Sequence, residues 1–536
     1  TYEQKSTPWK INGTPMNFGH ELLEPKLDNI QDRLAIGFER MPALEKAGIK
    51  NIVNGPFTFG PDGSPLIGPM PGLKNYWVAV GVMAGFCQGG GVGKCIAEWI
   101  IDGEPSIDVW AMDVARFGDY ASPHYGTIKS SENYERRFIM TFPNETLPKG
   151  RKQKTTSLYD RFVNKGAIMG DSFGLENVLW FSNNSEDAHE EPTFRRSRSH
   201  NYVAAEVKNV RENVGIIELA NFSKHHFSGP DSKKFLDYIL AGYIPKKGRI
   251  NLNPMITPKG KLYGDLTVGC LDLDNYYIFG SGTAQEMHRR WFENQLKEYD
   301  VNYKNKSDDF HGIAIAGPKS RDVMQKIVRE NISNDNFRFR DMKKIFVGGV
   351  PAIVNRISFT GELGYEIYVK PQYQLKLYEE LMLAGRDYNI QPFGSRALMS
   401  MRLEKNWGAW TLDFRPDFTA KETGLDIFIN WEKDFIGKNI SLENNSNFKL
   451  ISLIVDTDKI DVTGNEAVLI NEDECIGYVT SGGYAHYIKK SIAFAFIDKT
   501  KITNQSTIQV EINGNYYKSE IQTTPLYDEF GAKMRS

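Results

Sequence analysis

Cysteine is scarce in this chain of 536 residues. The four present, Cys87, Cys95, Cys270 and Cys475, are too scattered for a disulfide framework or a CxxC zinc site, and a reducing compartment fits them best. Long apolar runs are missing too: none reaches the roughly 18 residues of a membrane-spanning helix, so no membrane insertion is expected. Charge of one sign is not in excess. A net charge of -2 leaves no electrostatic footprint for nucleic acid or an anionic membrane. The chain opens TYEQKSTPWKING, with neither Met nor any signal-like or transit-like segment, as a processed product or one part of a split polypeptide does. The nine histidines include no HExxH and no ligand-spaced pair beyond the adjacent His225 and His226, so no metal site is expected. Neither GxSxG nor a Cys–His constellation suggests an acyl-transfer nucleophile. No repeat or low-complexity tract is present.

What is there reads as several globular domains. The length allows about three or four at ~150 residues each, and 40% hydrophobic with 25% charged residues is ordinary for folded domains. Residues 1–110 alternate Pro/Gly-rich turns with short apolar runs, and residues 111–160 are polar, a connector with a marginal helix or two. From about 160 the pattern is mixed. VGIIELANF and KHHFSG are strand-like, and DSKKFLDYILAG puts Phe235, Leu236, Ile239 and Leu240 on one helical face. NYYIFG precedes a helix TAQEMHRRWFENQLKEY with Thr283 as its expected N-cap. VPAIVNRISF and YEIYVK, joined through TGELG, make a hairpin; QYQLKLYEELMLAG and RALMSMRLEKN are helices. After Phe435 come KLISLIVD, EAVLI, CIGYVT, IAFAFI and TIQVEI, short and regular strands suited to a small barrel or sandwich.

The stretch from Val78 to Ile100, VAVGVMAGFCQGGGVGKCIAEWI, brings a strand-like run into clustered glycines. Such a loop presents bare N–H groups to an electron-rich ligand, or is simply a turn. It is no P-loop, because Gln88 and Cys95 occupy the deciding positions. It is no dinucleotide fingerprint either, because Gly89-x-Gly91 is followed by Lys94 where the third glycine belongs. Asp265, in TPKGKLYGDLTV, stands where a turn enters a strand. Glu366 follows good turn chemistry in SFTGELGYEIYV, and Arg396 lies early in a helix, where a solvated or salt-bridged arginine is usual.

Taken in order, these segments resemble the dimethylglycine/sarcosine dehydrogenase family, in which an amine-oxidising FAD domain is fused to a folate-binding half related to the glycine-cleavage T-protein. ERMPALEKAGI, NGPFTFGPDGSPLIGPMPGLKNYWVAVG and GGGVGKCIAEWIIDGEP carry the likeness in the first part. TFRRS, GKLYGDLTV, SFTGELGYEIYV, GSRALMSMRLEKNWGAW, GLDIFINWEKDFIGK, GYVTSGGYAH, KKSIAFAFI and PLYDEFGAKMRS carry it in the rest. The resemblance implies an α+β chain. Residues 1–110 would be the C-terminal remnant of a DAO-type FAD-dependent oxidoreductase domain, and 111–160 a connector. Residues 161–435 would be a T-protein-like tetrahydrofolate-binding domain and 436–536 a small C-terminal β-barrel.

It also implies roles. Gly85, Phe86, Cys87, Gln88, Gly89 and Gly90 would approach the flavin of FAD, with backbone N–H groups stabilising charge on its reduced form. The family's upstream FAD fingerprint has no counterpart here, which implies either a second chain supplying it or its loss from this polypeptide, and a weak hold on FAD by this chain alone. Related sarcosine oxidases carry a substrate-binding lysine where this chain has Cys87, so the substrate carboxylate would be gripped elsewhere. Asp265 would be catalytic, facing the reduced pterin of tetrahydrofolate as a proton acceptor or a stabiliser of an iminium cation. Glu366 would hold the pterin's amino-pyrimidine edge, with Arg396 in the same pocket. Tyr263, Gly264, Tyr368 and Tyr527 fall at further folate contacts, and Phe359 stands where a tyrosine is usual.

The implied reaction is oxidative N-demethylation of dimethylglycine or sarcosine, the carbon being captured as 5,10-methylenetetrahydrofolate. The acceptor that reoxidises the flavin is not implied. The compartment would be a bacterial cytoplasm or a mitochondrial matrix. Two other classes fit the same residues: a flavin-independent, folate-dependent demethylase or aminomethyltransferase, and a non-catalytic folate-binding subunit of a sarcosine-oxidase-like complex.

Overall fold

The computed structural model describes residues 3–7, 14–503 and 506–536. The chain divides into two compact units, residues 1–141 with 147–151, and residues 142–146 with 152–536.

In the first unit, strands Leu66–Pro69 and Trp77–Val80 form an antiparallel hairpin that feeds the helix Gly85–Asp102. The glycine segment expected as a loop is therefore the N-terminal half of a helix. Each of Gly85, Gly89, Gly90, Gly91 and Gly93 costs about 1 kcal/mol of helix propensity relative to alanine. Packing of the other half offsets this: Val92, Cys95, Ile96 and Trp99, at i, i+3, i+4 and i+7, meet Ile67 and Val109 in one cluster. Gly103, at φ 86, caps the helix in the left-handed conformation. Gly68 also needs its missing side chain, since a Cβ there would lie 2.7 Å from the Trp99 ring. Helix Pro123–Arg136 begins with Ser122, whose hydroxyl accepts from the Tyr125 N–H at 3.2 Å.

The second unit is built on two antiparallel sheets and a barrel. One sheet has five strands in the order Asn302–Asn305, Phe222–Ser228, Asn275–Ser281, Leu262–Asp272, Arg249–Ile256. Helices Ser232–Ile239 and Gln285–Gln295 cover one of its faces, where Phe235, Leu236, Ile239 and Phe292 join Leu266, Val268 and Ile278 in a core. The other has six strands in the order Met342–Val347, Val350–Asn355, Gly364–Val369, His311–Ala316, Val214–Glu218, Ile390–Pro392, the last one parallel. Helices Ser320–Ile327 and Pro371–Ala384 pack on it through Val323, Met324, Leu377 and Leu381.

Two expectations need correcting. Thr283 does not cap the helix after Asn275–Ser281: a 3-10 turn over Gly282–Ala284 intervenes, and the Thr283 hydroxyl pairs with that of Ser281 at 2.9 Å. The barrel has one strand more than expected. It closes through Phe448–Val455, Lys490–Asp498, Glu474–Ala485, Ala467–Ile470, Ile508–Ile512 and the unexpected Asn515–Gln522. That strand lacks a buried apolar alternation; the Asn513–Gly514 turn, with φ 51 and 80, places it by making a tight hairpin.

A buried ion pair ties the barrel to the rest of this unit. Arg402, on helix Ser395–Glu404, donates to Asp413 at 2.8 Å and to the Ser481 hydroxyl of the barrel at 2.8 Å. Asp413 also accepts from Ser481 at 2.7 Å and from Thr480, and all four residues are buried. Arg402→Met should destabilise the unit by about 3–5 kcal/mol, because it strands the Asp413 charge away from water. Chemical unfolding of the two proteins tests this; a loss below about 1 kcal/mol would show that the pair is not what joins the barrel.

Candidate active site

A cavity of about 1350 Å³ opens within the second unit, walled by both sheets, helix Ser395–Glu404, the segment after it and the barrel. Strand Leu262–Asp272 delivers Asp265 and Thr267 to it by ordinary alternation, and strand Gly364–Val369 delivers Glu366 and Tyr368. The two strands belong to different sheets, yet Phe279 of one stacks on Tyr368 of the other with ring centroids 4.6 Å apart. Phe359, Trp407, Trp410 and Phe414 supply further aromatic wall, Phe359 and Trp407 stacking at 5.8 Å.

The carboxyls here are electrostatically unusual. Burial pushes Asp265 up to about 7, and the Asp413 carboxylate adds to the rise. Burial likewise lifts Glu366 to about 7, against the opposing effect of the Tyr368 hydroxyl, which donates to it at 2.9 Å. Glu218, also on the wall, is raised to about 7 by burial while hydrogen bonds from Thr156 and Gln374 pull the other way. Such groups exchange protons near neutrality, and when ionised in an apolar cavity they strongly favour a cation or paired N–H donors.

Of the residues assigned to folate, Asp265, Phe359, Glu366 and Tyr368 share this cavity. Four do not line it. The pairing of Leu262–Asp272 with Arg249–Ile256 slips by one residue at Tyr263, and this bulge turns the ring toward Trp291, 4.8 Å away. Gly264 faces the core, where a Cβ would stand 3.3 Å from His288 Nε2. Arg396 lies off the face of its helix that carries Ser395, Leu398 and Met399 to the cavity. Its guanidinium bonds Glu190 at 2.7 Å and the Ser199 hydroxyl at 2.8 Å. Tyr527 is buried in a polar cluster, its hydroxyl on Glu362 and Lys533 and its ring 3.8 Å from the Arg211 guanidinium. Sequence reasoning missed Phe279, Trp407, Trp410 and Glu218; the aromatic spacing of NWGAW was the available signal for the two tryptophans.

In the first unit, the segment assigned to FAD opens helix Gly85–Asp102. Cys87 and Gln88 both bond the Ala84 carbonyl, at 2.9 and 2.8 Å. Among the described residues, a Cβ at Gly85, Gly89, Gly90, Gly91 or Gly93 would meet nothing within 4 Å, and Phe86 is fully exposed.

Fold and site define an α+β module with an acid-bearing, aromatic-walled cavity and a closed barrel behind it. Residues 158–433, half of the chain, match the GCVT N-terminal domain, and the chain belongs to that family. Residues 449–528 match the glycine cleavage T-protein C-terminal barrel domain, and 102–156, which include most of the expected connector, match the FAD dependent oxidoreductase central domain. Human (Homo sapiens) mitochondrial dimethylglycine dehydrogenase is 37% identical over 97% of this chain and 60% of its own length. Mouse (Mus musculus) mitochondrial sarcosine dehydrogenase is 26% identical over 92% of this chain and 59% of its own. The chain thus spans about three fifths of the length of these curated relatives. The aminomethyltransferase T of the glycine cleavage system from Bartonella henselae shares the fold, with a TM-score of 0.61 at 19% identity over 70% of this chain and 98% of that one.

The raised carboxyls carry a sign that can be checked. Asp265 holds a proton in the folded state up to about pH 7, whereas the unfolded side chain releases it near 4. Across that window the folded state binds more protons, so stability falls as pH rises and levels off above 7. Asp265→Asn should therefore gain stability over wild type between pH 4 and pH 8, by on the order of 3–4 kcal/mol. Equal differences at both pH values in urea titrations would mean that Asp265 ionises normally.

Proposed function

We propose that this chain is the folate half, with part of the flavin half, of an enzyme that oxidatively demethylates an N-methyl amino acid, dimethylglycine or sarcosine. The released carbon is captured on tetrahydrofolate as 5,10-methylenetetrahydrofolate. The observation that carries this reading is the presence of two carboxyls raised to neutrality, Asp265 and Glu366, on the walls of one aromatic cavity. A reduced pterin offers what those walls lack. Its flat ring suits Phe279, Tyr368 and Trp407, and its N–H donors suit Glu366. Asp265 takes a proton from the nitrogen that attacks the carbon unit, or in its ionised form stabilises the cation that carries it. The apolar walls keep water from that carbon, which would otherwise be lost by hydrolysis. Tyr368, by donating to Glu366, fixes which oxygen of that carboxyl is free to accept.

The face of Gly85, Gly89 and Gly90 fits the edge of a flat cofactor, because among the described residues none comes within 4 Å of a Cβ placed on any of the three. FAD, when bound, supplies the acceptance of hydride from the N-methyl carbon. The names of the relatives and the four free thiols support a mitochondrial matrix as the compartment, with a bacterial cytoplasm as the other candidate. A second reading, aminomethyl transfer without redox chemistry, is favoured by the location of the whole cavity in the GCVT module.

The flavin-loaded enzyme, given an N-methyl amino acid and tetrahydrofolate, separates these possibilities. Asp265→Asn should leave amine oxidation intact while folate-bound carbon falls about 100-fold and free formaldehyde accumulates. An unchanged partition would remove Asp265 from the chemistry, and turnover persisting after flavin removal would favour the second reading.

A further inference from the structure

We propose that His288 is a positioning residue for Asp265: its bond to the Tyr263 carbonyl holds the bulge that sets the Asp265 carboxyl in the cavity. The consequence for catalysis rests on the folate reading above.

Among the described residues no side chain donates to the Asp265 carboxyl, and the donor beside it is its own backbone N–H. The direction of the carboxyl is therefore set by the backbone of strand Leu262–Asp272. That backbone slips by one residue at Tyr263, two positions earlier, where strand Arg249–Ile256 has no partner for the extra residue. A bulge takes the inserted residue out of the ladder and re-aims the side chains that follow. Here the His288 Nε2–H donates to the Tyr263 carbonyl at 2.8 Å. A carbonyl only accepts, so the bond puts the ring proton on Nε2 and leaves Nδ1 bare. Burial keeps the ring neutral, lowering it to about 4 against the opposing pull of that same bond. A cation packed behind this strand would lower Asp265 too, and a neutral imidazole does not.

The surroundings suit the contact. His288 is 1% exposed on helix Gln285–Gln295, so the ring has no solvent position to move to. Gly264, between Tyr263 and Asp265, gives the ring its place: a Cβ there would stand 3.3 Å from Nε2 and 3.1 Å from the Leu266 side chain. The ring also meets Trp410 of the cavity wall, with centroids 5.9 Å apart. One side chain thus bridges the helix, the bulged strand and the wall. Tyr263, Gly264 and Asp265 then have distinct tasks, as acceptor, gap and carboxyl.

His288→Gln and His288→Asn separate this role from packing. The Gln amide reaches the Nε2 position and keeps the donor, whereas the Asn amide stops at the Nδ1 position and loses it. The first readout needs no ligand: the stability that Asp265→Asn gains between pH 4 and pH 8 in urea titrations. The His288→Gln background should keep that gain. The His288→Asn background should lose more than half of it, because a displaced carboxyl regains water. Gly264→Ala, which crowds Nε2 from the strand side, should give the same loss with the histidine intact. The second readout is carbon capture by the flavin-loaded enzyme. His288→Asn should lower folate-bound carbon about tenfold with KM for the amine unchanged, and His288→Gln should recover most of it. An undiminished gain in the His288→Asn background overturns the proposal, and if that variant does not fold the Gly264→Ala result decides. If wild type itself forms no folate-bound carbon the folate reading falls, and the pH comparison still decides whether His288 positions Asp265.

Discussion

The cavity exists because two sheets are joined edge to edge. Strand Arg249–Ile256 ends the five-stranded sheet and Met342–Val347 ends the six-stranded one. Between them the Met342 N–H donates to the Gly248 carbonyl at 2.9 Å and the Ile250 N–H donates to Arg340 at 2.9 Å. Each bond satisfies an edge that would otherwise invite another chain. Met342, Ile250, Ile353, Phe279 and Tyr368 then pack as one cluster across the seam. Asp265 and Glu366 come from different sheets, and without this seam no common wall would bring them to one cavity.

The same arrangement sets the electrostatics. Asp265, Glu366 and Glu218 lie in surroundings that burial has made poor in water, and each is raised to about 7. Asp413 is different. Arg402 and two barrel hydroxyls hold it, and its negative charge contributes to the rise at Asp265. The joint that fastens the barrel to the module is therefore also a determinant of the proton affinity at the site. A change in the barrel at Thr480 or Ser481 has a route to Asp265 through one intervening residue.

Much of this was legible in the amino acids, for reasons that differ from element to element. Phe235, Leu236, Ile239 and Leu240 announced a buried helical face because helical spacing and burial coincide there. The alternation that brings Asp265 inward is equally visible, but the one-residue slip that turns Tyr263 away is not, since a bulge leaves no mark on hydrophobic pattern. Strand Asn515–Gln522 escaped notice for a related reason: it is held by a hairpin turn and by neighbours, and its own side chains are largely exposed. The glycine helix misled through propensity. Its glycines argued for a loop, and only the tertiary contacts of Val92, Cys95 and Trp99 outweigh them. Arg396 and Tyr527 were legible as charged or aromatic residues of interest, but not as members of structural polar clusters, because Glu190 and Glu362 lie far from them in sequence.

The distribution of charge along the cavity is informative beyond any single residue. Asp265, Glu366 and Glu218 give the walls acceptors and proton-exchanging acids, and the Phe279 ring lies against Tyr368, whose hydroxyl donates to Glu366. Arg340 and Arg535 line the same cavity, and burial lowers the proton affinity of Arg340. A compact anion is disfavoured beside the acids, whereas a flat ligand with N–H donors meets both acceptors and aromatic wall there. Asp265, Glu366 and Glu218 all have proton affinities suited to exchange at neutral pH, so which of them the donor groups of a ligand meet decides where a proton can move.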